Sequence, residues 1–394
     1  MNKCAQRMPA LFCLTALLAL FLYLPAMAEA KEITQKCRIS GLGGRENTLL
    51  ALDRAYMTAW HNYARREADI RITLPDKLKQ GGLYICWGSM PDTWTLYLND
   101  QKIASGDKQG FAHIYVPFTG TGELRLNLMS PDEQVASIGE LFVLEGAEPP
   151  AWVQRWQPTL QKADLMVLVA HPDDDLLYMG GTIPYYAVER GKDVIVSYLT
   201  CANAMRRSEM LNALWAMGIR HYPTMGPFRD KQFSTMEKLY ASWREEEARG
   251  YVVELVRKYR PIVVVSHDVA GEYGHNAHKA AAALVRYAVG AANDPELFPG
   301  SAGQYGTWNV SKLYLHLFKE NAITMDWNRP LESFGGKTAM DVAKMGFSMH
   351  RSQRKTWSME DGGPYDNAHF GLAYSSVGPD QQKDDFFENI TPAL

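Results

Sequence analysis

Short hydrophobic runs, several of them alternating with polar residues, occupy the chain from about residue 31 to residue 150. Turn-forming pairs such as Pro75-Asp76 and Asn99-Asp100 separate these runs. A period of two residues is typical of strands with one buried face, and many short strands with frequent turns are typical of sandwiches. The pattern therefore predicts an antiparallel β-sandwich over residues 31–150. Its strands are predicted at Ile70–Leu74, Gly82–Trp87, Thr93–Leu98, His113–Val116 and Leu124–Leu128.

The pattern changes after Glu148-Pro149-Pro150, a segment that stiffens the chain and cannot continue a strand ladder. From residue 151 to residue 394, apolar runs of strand length alternate with segments of helical character. This alternation predicts an α/β domain whose parallel sheet is covered by helices on both faces. Strands are predicted at Leu165–Ala170, Val194–Leu199 and Ile262–Ser266, and helices at Gly180–Arg190, Ser208–Met217, Trp243–Tyr259 and Ala277–Val289.

Residues 1–30 are predicted to be a signal peptide. Lys3 and Arg7 precede the apolar stretch Leu11–Leu24, which is short for a membrane span, and Ala26-Met27-Ala28 fits a small-residue cleavage site. We therefore expect an exported protein, periplasmic or secreted, with no stable membrane span after cleavage. A retained N-terminal anchor is the alternative.

Composition narrows the class of partner. The 394 residues include 41 Lys and Arg against 44 Asp and Glu, with no basic block, which argues against a nucleic-acid partner. The chain has 10 Trp and 20 Tyr, as carbohydrate-handling proteins often do, although ordinary packing explains most of them. In an exported chain, a disulfide between Cys37 and Cys86 would leave Cys201 unpaired, and the spacing alone does not decide whether it forms.

Two predicted strands end in residues that are suited to a metal site. His171-Pro172-Asp173-Asp174 follows the first strand directly, and His275 and His278 follow the strand at residues 262–266. Open α/β folds place their sites at the carboxyl ends of their strands, so these groups are predicted to meet there. His171, Asp174 and His278 would supply three ligands of a catalytic Zn²⁺, with another divalent transition metal as the alternative.

The neighbouring polar residues suggest roles in hydrolysis. Zinc lowers the pKa of a bound water toward about 7, and Asp173 would take the proton and pass it to the leaving amine. His275, one helical turn before His278, would stabilise the developing oxyanion or protonate the leaving group. Each of these features has an ordinary structural alternative. The segment His171–Asp174 could form an Asx turn, and Asp268 and Glu272 could be solvated loop acids.

The segment Ala170-His171-Pro172-Asp173-Asp174-Asp175 resembles the Ala-His-Pro-Asp-Asp-Glu signature of the PIG-L/LmbE-like de-N-acetylase family. The segment from Gly274 to His278 is similar to the second element of that family, and the likeness extends over most of residues 163–355. The resemblance implies a Rossmann-like fold and zinc-dependent removal of acetyl groups from N-acetylglucosamine-type amides. It also implies that Arg206 and Asp230 contact the amino-sugar or glycan substrate or order the site.

A looser resemblance links the N-terminal segment to discoidin-like, galactose-binding-like sandwiches. The residues that carry it are Leu49–Leu52, Trp60 and Gly82–Trp87. The segment would then be an accessory domain that holds glycan through exposed Trp or Tyr, or a structural lid that narrows the cleft beside it.

Two positions depart from the pattern of the family. Asp175 stands where Glu is usual, and Ala277 stands where many relatives carry Asp. If that acid normally tunes His275, the pH profile of this protein would differ, because a neighbouring carboxylate raises the pKa of a histidine. Two rival functions follow: a metal- and glycan-binding protein that has weak or no turnover, and a hydrolase of another N-acyl amide.

Overall fold

The structure is a computed structural model that describes residues 29–41, 49–55, 57–62, 66–130, 135–201, 203–359 and 361–390. The predicted signal peptide falls outside these residues, except for its last two positions. Within the described ranges, no helix combines the length and the apolar character that a membrane crossing requires.

The N-terminal part consists of two antiparallel five-stranded sheets. One sheet has the order β1-β10-β5-β8 with β3 also paired to β10, and the other has the order β2-β4-β9-β6-β7. All five predicted strands of this region are present. The strands are β1 (Lys31–Glu32), β2 (Arg38–Ser40), β3 (Trp60–His61), β4 (Glu67–Thr73), β5 (Gln80–Ser89), β6 (Thr93–Leu98), β7 (Gln101–Asp107), β8 (His113–Thr119), β9 (Glu123–Met129) and β10 (Ser137–Glu145).

Side chains from both sheets form one apolar core between them. Ile70, Leu126 and Leu96 of one sheet and Leu83 and Val143 of the other are fully buried in the same cluster. Alternate residues of β4 and β9 face this core, as the two-residue period predicts. The antiparallel sheets therefore fit a β-sandwich.

The aromatic residues and cysteines of the sandwich are mostly structural. Trp60, Trp87 and Trp94 are buried, and no Trp or Tyr is strongly exposed in the described part of residues 29–145. Cys37 and Cys86 are free thiols, so the disulfide that the sequence left open is not present. The Cys37 thiol lies against the sandwich core, whereas Cys86 belongs to a separate cluster on the outer face of β5.

The C-terminal part contains a seven-stranded mixed sheet with the order β13-β12-β11-β14-β15-β17-β16. The pairs from β13 to β15 are parallel, and β17 pairs antiparallel with both of its neighbours. The three predicted strands are present as β11, β12 and β14. The strands are β11 (Leu165–Val169), β12 (Val194–Thr200), β13 (Thr224–Phe228), β14 (Val263–Ser266), β15 (Lys312–His316), β16 (Ala322–Thr324) and β17 (His369–Ser375).

Helices pack on both faces of this sheet. Along β11, Leu165, Val167 and Val169 belong to one buried cluster, whereas Met166 and Leu168 belong to the other. This division explains the unbroken apolar run of β11, because a strand that is buried on both faces needs no polar alternation. The α-helices are α1 (Asp174–Leu177), α2 (Ala204–Ala216), α3 (Met236–Trp243), α4 (Glu245–Tyr259), α5 (Asn276–Ala291), α6 (Pro299–Tyr305) and α7 (Ala339–Phe347).

Two predicted helices differ in detail from the observed ones. The segment predicted as a helix at Gly180–Arg190 contains a π-helix at Pro184–Glu189. The helix predicted at Trp243–Tyr259 begins at Glu245, since Arg244 has a positive φ of 56° and separates α3 from α4. Both differences lie in local backbone geometry, which hydrophobic spacing does not specify.

The sandwich docks on α2 through polar contacts. The Arg207 guanidinium donates hydrogen bonds to the carbonyl oxygens of Gly88 and Trp87, at the end of β5. Just beyond the linker, the Gln154 side-chain amide donates to the side-chain oxygen of Asn212 on α2 over 2.6 Å. The Arg207 contacts hold the sandwich against the helix that carries Arg206, the residue before Arg207.

A buried ion pair fixes the C-terminal segment to the sheet. Lys312 of β15 and Asp380 have fully buried side chains and contact each other. The Tyr314 hydroxyl donates to Asp380 over 2.6 Å, and the Lys312 ammonium donates to the Glu388 carbonyl oxygen over 2.8 Å. The pair thus joins a central strand to a chain segment about 70 residues further along.

Replacing Asp380 by alanine is expected to lower the free energy of unfolding by about 3–5 kcal/mol, because the Lys312 charge is then buried without its partner. Urea denaturation followed by circular dichroism measures the change. The matched control is Asp384→Ala, an exposed acid in the same segment, which should stay within about 0.5 kcal/mol of wild type. Equal midpoints for the two variants would contradict the prediction.

Candidate metal centre

The first loop of the site follows β11, next to the carboxyl end of β14. The chain moves from β11 outward to β12 and β13, then returns to the other side of β11 as β14. Such a reversal of strand order leaves a crevice at the carboxyl ends of the two central strands, where ligands bind in open α/β sheets. The sequence motifs after β11 and β14 lie at this crevice.

The loop after β11 is shaped by its own carboxylates. Asp174 Oδ2 accepts a hydrogen bond from the His171 backbone N–H over 2.7 Å and lies 3.0 Å from His171 Nδ1. Asp175 accepts a hydrogen bond from the Asp173 backbone N–H over 3.2 Å. Asp173 itself has a φ of 104°, a backbone conformation that non-glycine residues rarely adopt. Strain of this kind concentrates at functional sites.

Glu272 organises the loop after β14. Its Oε2 lies 2.8 Å from His267 Nδ1 and 2.7 Å from His278 Nδ1. Its Oε1 lies 2.7 Å from His316 Nδ1 and accepts the Asp268 N–H over 3.2 Å. Glu272 and the three histidines are completely buried, so the alternative that Glu272 is a solvated loop acid is wrong.

The carboxylate of Glu272 orients the rings around it. Burial opposes its ionisation, but His267, His278 and His316 hold the pKa of Glu272 well below its usual range. An ionised carboxylate only accepts hydrogen bonds, so each facing Nδ1 carries a hydrogen. In metalloproteins, a carboxylate on one ring nitrogen fixes the tautomer that leaves the other nitrogen to bind the metal.

His267 and His278 are stacked, with ring centroids 4.1 Å apart, but their outer nitrogens differ. The Ala170 backbone N–H donates to His267 Nε2 over 3.1 Å, so the lone pair of that nitrogen is in use. His278 Nε2 is buried, lies 3.4 Å from Asp174 Oδ2 and has no hydrogen-bond partner in the described part of the chain. A buried nitrogen without a partner is costly unless something binds it, which favours His278 over His267 as a metal ligand.

Two overlapping groups of side chains are close enough to hold an ion. They are His171 with His275 and His278, and Asp174 with His267 and His278. The predicted ligands His171, Asp174 and His278 are drawn from both groups, and the structure brings them together. Imidazole nitrogens with a carboxylate oxygen are the donors that zinc accepts, and iron or cobalt also bind them. The residues present therefore fit a divalent transition metal.

The pKa values of the adjacent carboxyl groups of Asp173 and Asp174 are shifted in opposite directions. Burial raises the pKa of Asp173 well above its usual range, although Arg206 offsets part of this effect. Burial would raise the pKa of Asp174 too, but His278 and His171 hold it well below its usual range. Neighbouring acids whose pKa values are pushed apart are typical of a division of labour between proton transfer and charge stabilisation.

Arg206 and Asp230 both lie at the pocket, as the sequence predicted, but in different ways. Arg206 Nη2 lies 3.1 Å from Asp173 Oδ1 and also donates to the Pro172 carbonyl oxygen. The guanidinium therefore holds Asp173. Asp230 Oδ1 lies 3.9 Å from His171 Nε2, and its side chain is partly exposed. A contact between either residue and substrate stays a prediction.

His275 precedes α5 at the mouth of the site. Its ring lies edge-on to His171, with centroids 4.9 Å apart. Burial, together with the charges of His171 and His278, lowers the pKa of His275 to about 3. Ala277 is packed in the apolar core beneath α5 and supplies no carboxylate to oppose this effect. His275 is therefore neutral at physiological pH.

The pocket around these residues has a volume of about 540 Å³. Sequence reasoning did not identify several of its residues. Tyr178, Tyr273, Gln353 and Trp357 line it, and Glu272 and His316 lie beneath it. A signal for His316 did exist, because it ends the short run Leu313-Tyr314-Leu315 in the same way that His171 and His267 follow their strands.

Glu272→Gln is expected to weaken metal affinity about 10- to 100-fold, the usual effect of removing a group that orients a ligand. A glutamine amide cannot accept from three N–H groups and turns a donor toward one of them. Competition with a chromogenic chelator measures the affinity. Asp268→Asn in the same loop is the control, since the Asp268 carboxylate accepts from the Ala270 N–H. Equal affinity in both variants would show that Glu272 does not orient a ligand.

The α/β part of the chain is similar in sequence to a known protein family. Residues 166–289 match the sequence model of the family described as PIG-L: GlcNAc-PI de-N-acetylase. The match confirms the resemblance of this part of the chain to PIG-L proteins, and the matched range contains all the predicted site residues.

Curated relatives also match this part of the chain. A 1D-myo-inositol 2-acetamido-2-deoxy-alpha-D-glucopyranoside deacetylase 1 of Catenulispora acidiphila is 30% identical over 206 residues, which cover 45% of this chain and 62% of that protein. Deacetylase 2 of the same description from Saccharopolyspora erythraea is 32% identical over 179 residues, 38% of this chain and 63% of that protein. The chain thus spans less than two thirds of the length of these relatives.

Some solved structures are similar to part of this chain. An N,N'-diacetylchitobiose deacetylase from Pyrococcus horikoshii aligns with 50% of this chain and 72% of its own, at 19% identity and a TM-score of 0.37. An F5/8 type C domain from Bacteroides fragilis aligns with 31% of this chain and 99% of its own, at 14% identity and a TM-score of 0.24.

Proposed function

We propose that the protein is a metal-dependent hydrolase that removes the N-acetyl group from an N-acetylglucosamine-type amino sugar or glycan. The observation that carries the proposal is the pair Asp173 and Asp174. Asp174 lies 3.0 Å from His171 Nδ1 and 3.4 Å from Nε2 of the buried His278, in a set of side chains that fits a metal. Asp173 lines the same pocket in contact with Arg206, and its pKa is raised whereas that of Asp174 is lowered. The family match and the names of the curated relatives support the choice of an acetamide as the bond that is cleaved.

In this proposal His171, Asp174 and His278 hold Zn²⁺, with another divalent transition metal as the alternative. The bound ion would supply a Lewis acid that polarises the amide carbonyl and makes water acidic. Glu272 keeps His278 oriented for this task, and Asp174 supplies the negative charge of the site.

Asp173 is proposed as the general base and then the general acid. Its carboxylate accepts a proton from the attacking water, and it returns that proton to the amine nitrogen as the C–N bond breaks. The products are acetate and the free amino sugar. A raised pKa makes the carboxylate a stronger base, which favours the first of these proton transfers. Arg206 holds the Asp173 carboxyl in place.

His275 is proposed to stabilise the transition state. A neutral imidazole donates one N–H, and such a donor lowers the energy of the negative charge that develops on the carbonyl oxygen. The low pKa of His275 makes protonation of the leaving group by this ring less suitable. Asp230 remains the proposed contact to a sugar hydroxyl.

The setting of the enzyme is part of the proposal. We infer export to the periplasm or the medium from the N-terminal sequence, and a Rossmann-like arrangement from the parallel strand order β13-β12-β11-β14-β15. The sandwich is proposed as a structural partner of the catalytic part, since its contacts reach the helix of Arg206 and its described tryptophans are buried.

Acetate release tests the proposed function. The zinc-loaded protein is incubated with N-acetylglucosamine, with its β-1,4-linked oligomers and with the polymer, and acetate is measured enzymatically. Release from at least one substrate, lost on removal of metal by a chelator, is the expected result. No release with one zinc bound per chain would favour the rival functions, a metal- and glycan-binding protein or a hydrolase of another amide.

A further inference from the structure

Three aromatic side chains form a row in the order Trp357, Tyr273 and Tyr365, and the first two of them line the pocket. The rings of Tyr273 and Trp357 are stacked, with centroids 5.1 Å apart and an interplanar angle of 29°. Tyr365 meets Tyr273 edge-on, with centroids 6.2 Å apart. The aromatic row thus joins the loop after β14 to the segment that precedes β17.

The middle residue of the aromatic row, Tyr273, lies against the metal centre. The ring of Tyr273 lies 5.5 Å from those of His275 and His278, between centroids. Trp357 lines the pocket together with Gln353. A ligand whose reacting group is at the histidines would therefore reach Tyr273 and Trp357.

The row is unusually exposed for its size. Tyr273, Trp357 and Tyr365 have exposed fractions of 43%, 37% and 39%. Single exposed apolar residues are ordinary, whereas contiguous ones mark binding surfaces. Tyr273 also has a positive φ of 48°, a conformation that is strained for a bulky residue and that is maintained beside the pocket.

The chemistry of the row fits a sugar ring. Tyr and Trp combine a flat apolar face with a polar edge, and a pyranose combines an apolar C–H face with hydroxyl groups around its rim. The pocket beside the row offers hydrogen-bonding side chains, namely Asn203, Asp230, Gln232 and Gln353. An alkyl chain would use the aromatic faces but would leave these polar groups without partners.

We propose that Trp357 and Tyr365 form a binding site for a second sugar ring, joined to the sugar whose acetamide is cleaved. The inference rests on the proposed function and deepens it, because it makes an oligosaccharide or larger glycan the preferred substrate over the free monosaccharide. Trp357 supplies the stacking face, and Tyr365 contributes the edge-on contact that holds Tyr273 in place beside it.

The test compares kcat/KM for acetate release from N-acetylglucosamine and from its β-1,4-linked disaccharide, in wild type and in Trp357→Ala. Wild type should prefer the disaccharide by about tenfold or more, which corresponds to about 1.4 kcal/mol. Trp357→Ala should lose this preference through KM for the disaccharide, and Trp357→Phe should recover part of it. The matched control is Trp152→Ala, since Trp152 is 43% exposed and packs on Tyr84 and Phe142, away from this pocket.

Equal kcat/KM values for the two sugars in wild type would overturn the inference, as would a preference that Trp357→Ala leaves intact. The same assay is also made with a long-chain alkyl glycoside of N-acetylglucosamine, which offers an apolar group without a second sugar ring. An equal gain from the alkyl chain, lost in Trp357→Ala, would identify a general apolar site and contradict a sugar site.

If the proposed function itself is wrong, no substrate will release acetate. Isothermal titration calorimetry with the disaccharide then tests whether the second sugar site exists. Binding to wild type that is weakened about tenfold in Trp357→Ala, and unchanged in Trp152→Ala, would support the sugar site without catalysis. No binding to wild type would overturn it.

Discussion

Asp173→Asn is expected to lower kcat for acetate release about 10²- to 10⁴-fold, the usual contribution of a general acid–base group. The metal content should stay at one ion per chain, since the proposed ligands His171, Asp174 and His278 are intact. An amide cannot accept the proton of the attacking water at neutral pH, and so the step proposed for Asp173 is lost. Acetate assays and metal analysis of the purified variant measure both effects.

Asparagine is the suitable replacement because it tolerates the positive φ of Asp173 better than other residues do. The control is Asp230→Asn, a second acid of the same pocket. If Asp230 binds substrate, that variant should raise KM and retain most of kcat. Loss of metal in Asp173→Asn would identify Asp173 as a ligand, and retained activity would place the base elsewhere.

The position of the site was predictable from the sequence because it depends on strand ends. The apolar runs before His171 and His267 are long enough to specify buried strands, and parallel strands present their carboxyl ends at one edge. Chain order then brings His171, Asp174 and His278 together, although β11 and α5 are more than 100 residues apart.

The partners of these residues were not predictable in the same way. Glu272 follows Gly271 in a polar segment that has the composition of an exposed loop, and its burial depends on His316, which is 44 residues further along. Lys312 begins β15, directly before its apolar run, and its charge is accommodated by Asp380, 68 residues later. Burial of a charge depends on its distant partner, and hydrophobic spacing contains no information about that partner.

The role of the aromatic residues also required the structure. The sequence offered the tryptophans of the sandwich as candidate sugar contacts, yet Trp60, Trp87 and Trp94 are buried. Two residues of the exposed aromatic row, Trp357 and Tyr365, instead come from the segment between α7 and β17, where no regular pattern marks them. This placement moves the expected glycan contact from the accessory part of the chain to the pocket beside the candidate metal centre.

The second large effect is expected from His278→Ala, which should weaken metal affinity by more than about 100-fold, beyond the range for residues that only orient a ligand. His278 Nε2 is a buried nitrogen that has no hydrogen-bond partner in the described part of the chain, and Glu272 fixes its ring from the opposite side. Acetate release should fall to the level of the metal-free protein. Inductively coupled plasma analysis and chelator competition measure the loss of metal.

His267→Ala is the matched control, because His267 shares the Glu272 oxygen and stacks on the same ring. Its Nε2 accepts the Ala170 N–H and is therefore not available to an ion. This variant should lose at most about 10- to 100-fold in affinity, as expected for a positioning residue. A loss equal to that of His278→Ala would instead assign the ion to the group of Asp174, His267 and His278, and the Ala170 hydrogen bond would then have to break when metal binds.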